Sequence, residues 1–188
     1  MSVLFLFMPP ASPSYAPLGL ASLCSYLAAR HLDLGTEALD LNLETWYWLA
    51  EGDGALQRMM RFMRGGEGDF YDPLSYLREH EGWRSVRGNI ENLLEHARRY
   101  LAAGDLDERL RNLLEHYAGL VLDRNPRLIY ISVMFPAQAL LSAAFARFIK
   151  TSGRGGSGTG RAVAVPHVVL GGASMSFLDP AELLTACP

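Results

Sequence analysis

The chain has 188 residues, and its 17 basic and 20 acidic residues give a formal net charge of −3. Apolar residues make up 49% of the sequence, which excludes a wholly disordered chain and suits one domain with an insertion. The mildly acidic balance argues against nucleic acid as a partner, because binding phosphates requires clustered lysine and arginine.

Two cysteines, Cys24 and Cys187, are too few for a disulfide framework, and neither stands in a CxxC pair or at zinc-ligand spacing. The N-terminal apolar run is not a signal peptide, since no basic residue precedes it and two prolines end it. The uncharged stretch 128–146 could imitate a membrane span, but its proline and serines favour a strand, a loop and a helix. We therefore expect a cytoplasmic protein without a membrane partner.

The first part of the chain predicts a strand, a helix and a second strand. Val3–Met8 is a short continuous apolar run, as in a buried parallel strand. A loop with four prolines follows and ends at Pro17. Leu18–His31 has apolar residues at helical spacing, and Thr36–Asn42 predicts the second strand.

The middle of the chain, residues 43–124, is rich in charge and has helical periodicity. It holds 15 of the 20 acidic and 11 of the 17 basic residues. Two apolar patterns, over 90–101 and 106–121, are separated by Gly104, and Asp105 with Glu108 resembles a capping box. We predict a helical insertion that forms a lobe apart from the sheet.

The last part predicts two further strands. Leu128–Met134 is rich in β-branched residues, a helix follows over Ala137–Lys150, and His167–Leu170 is the fourth strand. The glycine tract 153–158 matches GxGxxG in form, but it follows a helix and leads to a strand, so we interpret it as a surface loop. Residues 180–186 predict the start of another helix.

Strands that alternate with helices predict an α/β fold, a flavodoxin-like (Rossmann-like) parallel sheet in the order 2-1-3-4. Residues 1–42 and 125–188 form this domain, with 43–124 inserted between strands 2 and 3. The chain ends inside a predicted helix, before the fifth strand that such a fold normally has, so we expect the fold to be incomplete at the C-terminus.

Ligands of open parallel sheets bind at the carboxyl ends of the strands. There Tyr15 offers a flat apolar face, and Gln138 stands near a helix N-terminus. Gly171 and Gly172 would let either a ligand or a neighbouring backbone approach closely. Asp40 could meet a ligand hydroxyl or cap the next segment, and the sequence favours neither.

Several motifs at these strand ends occur together. Pro9 and Pro10 follow the first strand, and the run YAPLGLA over 15–21 opens the helix. ALDLN lies on strand two, ISV with Gln138 follows on strand three, and VLGGA closes strand four. Over residues 1–43 and 126–188 the chain resembles the N-terminal cobalamin-binding-type domain of radical S-adenosylmethionine enzymes.

The resemblance implies a corrinoid, cobalamin, at the carboxyl edge of the sheet, facing a catalytic domain that is a methyltransferase. S-adenosylmethionine and a 4Fe-4S cluster would belong to that domain of the parent chain. This chain would carry neither catalytic residues nor metal ligands. The implied corrinoid-contacting residues are Pro10, Ser14, Tyr15, Gly19, Asp40, Ser132, Met134, Gln138, Gly171, Gly172, Ala173 and Ser174.

Two departures from that family are visible in the sequence. The chain lacks the Asp-x-His-x-x-Gly motif, so no histidine is placed to bind cobalt from below, and it lacks the CxxxCxxC motif that holds the cluster. Two alternatives stay open. One is a degenerate domain without corrinoid that serves as a docking or substrate-binding platform. The other is an unrelated flavodoxin-like regulatory or nucleotide-binding domain.

Two predicted helices lack charge where an exposed helix normally carries some. Residues 18–29 and 137–146 contain no charged side chain. A helix on one face of a sheet normally presents a polar stripe to water. We expect these helices to be covered in the parent protein, and the chain alone to self-associate.

Overall fold

The apolar run at the N-terminus forms β1 (Ser2–Phe7), the buried inner strand of a four-stranded sheet. The computed structural model describes residues 2–12, 15–31, 33–64, 72–152, 165–177, 179 and 181. The other strands are β2 (Gly35–Asp40), β3 (Leu128–Ser132) and β4 (His167–Gly171). All pairs are parallel and the order is β2-β1-β3-β4, so the predicted fold class and strand order are confirmed.

Three helices begin within two residues of where the sequence patterns predict them, whereas the helix predicted over 90–101 begins at Pro73. They are α1 (Leu18–Arg30), α2 (Leu41–Ala50), α3 (Gly54–Arg64), α4 (Pro73–Ala103), α5 (Glu108–Leu122) and α6 (Pro136–Ser152), with a short 3₁₀ helix over Ala173–Phe177. No described helix is both long and apolar enough to cross a membrane. The predictions for Ser14, Cys187 and the glycine tract 153–158 lie outside the described residues. Of the helix predicted over 180–186, only Ala181 is described.

Caps determine where three of these helices begin or end. Asp40 accepts a hydrogen bond from the N–H of Leu43 and so caps α2. The second strand therefore ends at Asp40, two residues before its predicted end at Asn42. Gly104 ends α4 with a left-handed φ of 77°. The prediction that Asp105 caps α5 is wrong: Asp107 is the cap residue and accepts from the N–H groups of Arg109 and Leu110.

One face of the sheet is buried under the inserted helices and α6. Leu4 and Leu6 of β1 and Ile131 of β3 belong to a single apolar cluster with Leu93 of α4 and Leu113 of α5. The expectation of a lobe apart from the sheet is therefore wrong, since the insertion and the sheet share one core. The amphipathic helices turn their apolar sides toward this face of the sheet, so packing removes those apolar side chains from water.

The opposite face of the sheet is covered by α1. Val3, Phe5 and Phe7 pack against Leu20 in a second apolar cluster. Farther along this face, Val169 of β4, which is registered with Tyr130, keeps 44% of its surface exposed. The two faces therefore differ in how completely the described residues cover them.

Candidate functional site

The four strands end at the same edge of the sheet, and the segments that follow them form the candidate site. The β1 loop runs from Met8 to Pro17, α2 follows β2 directly, and the β3 loop covers 133–135. The β4 loop starts at Gly172 and leads into the 3₁₀ helix. We call this the carboxyl edge, and each of its segments is tied to a neighbour by hydrogen bonds.

The β1 loop is held by the first turn of α2. The N–H of Ala11 donates to Asn42 Oδ1 at 2.8 Å, and Trp46 Nε1 donates to the oxygen of Ala11 at 3.1 Å. Asn42 and Trp46 lie one helical turn apart, so both reach Ala11, one through its N–H and the other through its carbonyl oxygen. Both side chains are buried.

The β3 loop is held by Gln138 of α6. Its Oε1 accepts from the N–H groups of Met134 and Phe135 at 2.7 and 3.0 Å. Its Nε2 donates to the backbone oxygen of Met8 at 2.5 Å. The side chain is fully buried. In this arrangement Gln138 shapes the site through two loops, and its amide does not face solvent.

The β4 loop packs directly on the β3 loop. Ser174 donates from Oγ to the oxygen of Met134 at 2.6 Å, and its N–H donates to the oxygen of Val133 at 3.2 Å. Gly172 has a φ of 119°, and a Cβ there would lie 2.5 Å from the oxygen of Val133. A Cβ on Gly171 would lie 2.6 Å from the hydroxyl of Tyr130. The close approach of Val133 and Tyr130 of the same chain thus explains both glycines.

Three larger side chains remain exposed at this edge. The rings of Tyr15 and Phe135, from the β1 and β3 loops, stack with centroids 6.1 Å apart and planes inclined by 29°. Tyr15 is 56% exposed, Phe135 39% and Met134 48%. We call these three residues the aromatic platform.

The carboxyl edge carries little charge. Residues 8–17, 133–138 and 171–177 contain no charged side chain. Asp40 lies half-buried beside β1, and burial raises the pKa of its carboxyl, against the hydrogen bonds from the Leu43 and Asn42 N–H groups. Of the two roles left open for Asp40, the capping role is the one that the structure contains.

The other predicted site residues differ in accessibility. Gly172 and Ala173 are exposed, as is Gly19 in the first turn of α1. Pro10, Ser132 and Gly171 are half-buried, whereas Gln138 and Ser174 are buried. Ser14 lies outside the described residues. Contact of these residues with a ligand remains a prediction.

Sequence reasoning did not select Asn42, Trp46 or Phe135 as site residues. Asn42 and Trp46 are four residues apart at the start of a helix that follows a strand. This spacing places both side chains on one side of the helix and could have indicated them. Phe135 follows a buried strand and precedes the first residue of α6. Its contact with Tyr15 depends on the tertiary position of two loops, which no local pattern encodes.

Two other features bear on binding chemistry. An open cavity of about 190 Å³ lies at the opposite, amino edge of the sheet, beside Ser2 and Thr36. Its charged residues are paired with each other, since Arg124 Nε lies 2.6 Å from Glu37 Oε1. Among the described residues, no three histidine, cysteine, aspartate or glutamate side chains are grouped as metal ligands.

Comparison with known proteins yields no relative. No family model matches the sequence, and no significant match is found among curated proteins or among solved structures. The fold and the geometry of the carboxyl edge are therefore the observations on which a function can be argued.

Proposed function

We propose that this chain is the corrinoid-binding module of a cobalamin-dependent radical S-adenosylmethionine enzyme, a methyltransferase. The aromatic platform is the observation that carries the proposal. It lies at the carboxyl edge of a parallel sheet, where ligands of such folds bind. One of its residues, Tyr15, belongs to the motifs that bear the resemblance to cobalamin-binding-type domains, and Met134 is among the contact residues that the resemblance implies.

The chemistry of the platform suits a corrinoid. A corrin ring is large and flat, with apolar faces and neutral amide side chains, so it needs apolar contact area more than charge. Tyr15 and Phe135 offer stacked rings, and Met134 offers a polarisable side chain. The loops around them carry no charge that binding would have to desolvate.

The roles of the chain's own residues follow from their positions. Tyr15, Met134 and Phe135 would contact the ring, and the exposed backbone at Gly172 and Ala173 would approach its edge. When bound, a corrinoid supplies a cobalt centre that can carry a methyl group. The 4Fe-4S cluster and S-adenosylmethionine would be held by the catalytic domain of the parent chain.

Titration with hydroxocobalamin, followed by visible absorbance, tests this proposal. We expect a saturable spectral change at one corrinoid per chain. Tyr15→Ala should weaken binding at least about tenfold, which corresponds to ~1.4 kcal/mol. Tyr26→Ala is the matched control, because Tyr26 is 57% exposed against 56% for Tyr15 but lies on α1, away from the carboxyl edge. Equal weakening by both substitutions would contradict the proposed site.

A docking platform without corrinoid is the second candidate, and one observation favours it. Residues 18–29 of α1 carry no charge, and Leu18 is 73% exposed, Tyr26 57% and Leu23 36%. Apolar residues exposed on one helix are typical of surfaces that contact another protein. An unchanged corrinoid spectrum in the titration, together with capture of a separately produced catalytic domain that Leu18→Lys abolishes, would favour docking over corrinoid binding.

A further inference from the structure

Three buried polar side chains at the carboxyl edge each bind the backbone of a neighbouring segment. Asn42 accepts from Ala11, Gln138 donates to Met8, and Ser174 donates to Met134. We infer that Asn42, Gln138 and Ser174 are positioning residues that hold Tyr15 and Phe135 together as a preformed ligand platform. The ligand in this inference rests on the proposed function, whereas the positioning itself does not.

The hydrogen bonds form a continuous series across the edge. Asn42 binds the β1 loop at Ala11, and Gln138 binds the same loop three residues earlier, at Met8. Gln138 also accepts from the N–H of Met134, and the oxygen of that residue accepts from Ser174. The backbone of Met134, in the β3 loop, is therefore held from two sides, by α6 and by the β4 loop.

Burial makes this series an ordering device. Asn42 is 1% exposed, Gln138 0% and Ser174 4%. Their backbone partners would be left without a hydrogen bond if either loop moved, and an unpaired buried polar group is costly. The bonded positions of the two loops, Met8 and Ala11 in one and Met134 in the other, are therefore held in the arrangement that satisfies these backbone groups.

The consequence for binding is a smaller entropic cost. Tyr15 belongs to the β1 loop and Phe135 to the β3 loop, so their stacking requires both loops to be in place. A platform that is ordered before the ligand arrives loses less freedom on binding than one that orders afterwards. Loosening the loops should weaken ligand binding even though the three positioning side chains are themselves buried.

The test compares two edge variants with a control in the helical layer. Gln138→Met removes all three hydrogen bonds at similar side-chain length, and Ser174→Ala removes one. Thr45→Val is the control, because it removes a buried hydroxyl that donates to Leu41 and meets Tyr117 in the helices. Denaturant midpoints identify the loss of stability in each variant. The readouts are the nuclear Overhauser contact between the Tyr15 and Phe135 rings, amide exchange at Met134, and affinity for hydroxocobalamin.

We expect both edge variants to weaken the ring contact, to speed amide exchange at Met134 at least about tenfold and to weaken corrinoid binding at least about tenfold. Thr45→Val should lose stability and leave all three readouts unchanged. Gln138→Glu keeps the oxygen that accepts from Met134 and Phe135, so it should retain slow amide exchange there. This variant takes the place of Gln138→Met if that variant does not fold.

Two results overturn the inference. One is an unchanged ring contact and unchanged exchange in both Ser174→Ala and Gln138→Met or, if Gln138→Met does not fold, an unchanged ring contact in both Ser174→Ala and Gln138→Glu. The other is a ring contact that is lost without any change in corrinoid affinity. If the unsubstituted chain does not bind corrinoid but the ring contact depends on Gln138 and Ser174, the positioning series stands and the proposed function fails.

Discussion

The side-chain amide of Gln138 donates to the backbone oxygen of Met8 at 2.5 Å, although 130 residues separate them in the sequence. Met8 directly follows β1, one of the two inner strands, and Gln138 lies in the first turn of α6. This bond joins the first and third strand ends through a group that is fully buried. The geometry of the candidate site therefore depends on the fold as a whole more than on any single loop.

The backbone at Gly172 should tolerate no side chain. Its φ of 119° is unfavourable for other residues, and a Cβ would lie 2.5 Å from the oxygen of Val133. We expect Gly172→Ala to lower the free energy of unfolding by at least about 2 kcal/mol, as strain and overpacking together do. Urea denaturation measures this change.

Gly119→Ala is the matched control for that substitution. Gly119 lies in α5 without a positive φ, and a Cβ there would meet nothing within 4 Å. Because alanine is the better helix former, this substitution should raise stability by about 0.5–1 kcal/mol. Equal effects of the two substitutions would show that the β4 loop can relax away from Val133.

The strands of this fold could be predicted from the sequence because burial on both faces leaves continuous apolar runs. Val3–Met8 and Leu128–Met134 are such runs, and their alternation with helices limits the topology to a few orders. The cap of α5 could not be assigned, since Asp105 and Asp107 are both good cap residues two positions apart. The position of the insertion on the sheet depends on long-range packing, which periodicity does not encode.

The candidate site was only partly predictable for the same reason. Tyr15 and Gly172 were selected because strand ends of parallel sheets are where ligands bind. Whether Gln138 faces a ligand or the backbone depends on where Met8 lies, 130 residues away. A polar residue at a helix N-terminus is compatible with both, so the inward orientation became visible only in the structure.

The buried hydroxyls of Thr45 and Tyr117 should respond unequally to removal. Thr45 Oγ1 donates to the oxygen of Leu41 at 2.6 Å and so accepts from the Tyr117 hydroxyl. Thr45→Val leaves the fully buried Tyr117 hydroxyl unpaired and should cost about 1–3 kcal/mol of unfolding free energy. Tyr117→Phe leaves Thr45 bound to Leu41 and should cost less. A larger loss in Tyr117→Phe than in Thr45→Val would contradict this assignment.

Tyr117 also gives the protein a dependence on alkaline pH. Burial raises the pKa of its hydroxyl above the ordinary value of 10.0, against the hydrogen bond with Thr45. A raised pKa in the folded state means that stability is complete below pH 10 and is lost as the pH rises above it. Denaturation between pH 8 and 11 should show a smaller alkaline loss for Tyr117→Phe than for the unsubstituted chain, and equal losses would contradict it.

The cobalt of a bound corrinoid should lack a histidine ligand from this chain. The histidines whose side chains the structure describes are His31, His96, His116 and His167, and none lies in a carboxyl-edge segment. His167 begins β4, at the far end of that strand. We expect visible and electron paramagnetic resonance spectra typical of water or no lower ligand. Imidazole coordination that is lost in His31→Ala or His167→Ala would contradict this prediction.

The exposed apolar side of α1 should drive association of the isolated chain. Leu18 is 73% exposed, Tyr26 57% and Leu23 36%, on a segment without charge between residues 18 and 29. On the same face of the sheet, Val169 is 44% exposed. Single exposed apolar residues are ordinary, but several on one uncharged helical segment form a patch that water solvates poorly.

Sedimentation equilibrium over a range of concentrations tests this association. We expect the mean mass to rise with concentration, and Leu18→Lys to reduce the rise because a charge in the contact must be desolvated. Leu74→Lys is the matched control, since Leu74 is 71% exposed but lies on another helix, at the start of α4. A monomer at every concentration would contradict the prediction, and so would equal effects of the two substitutions. In either case, alanine and serine would be shown to keep α1 adequately solvated.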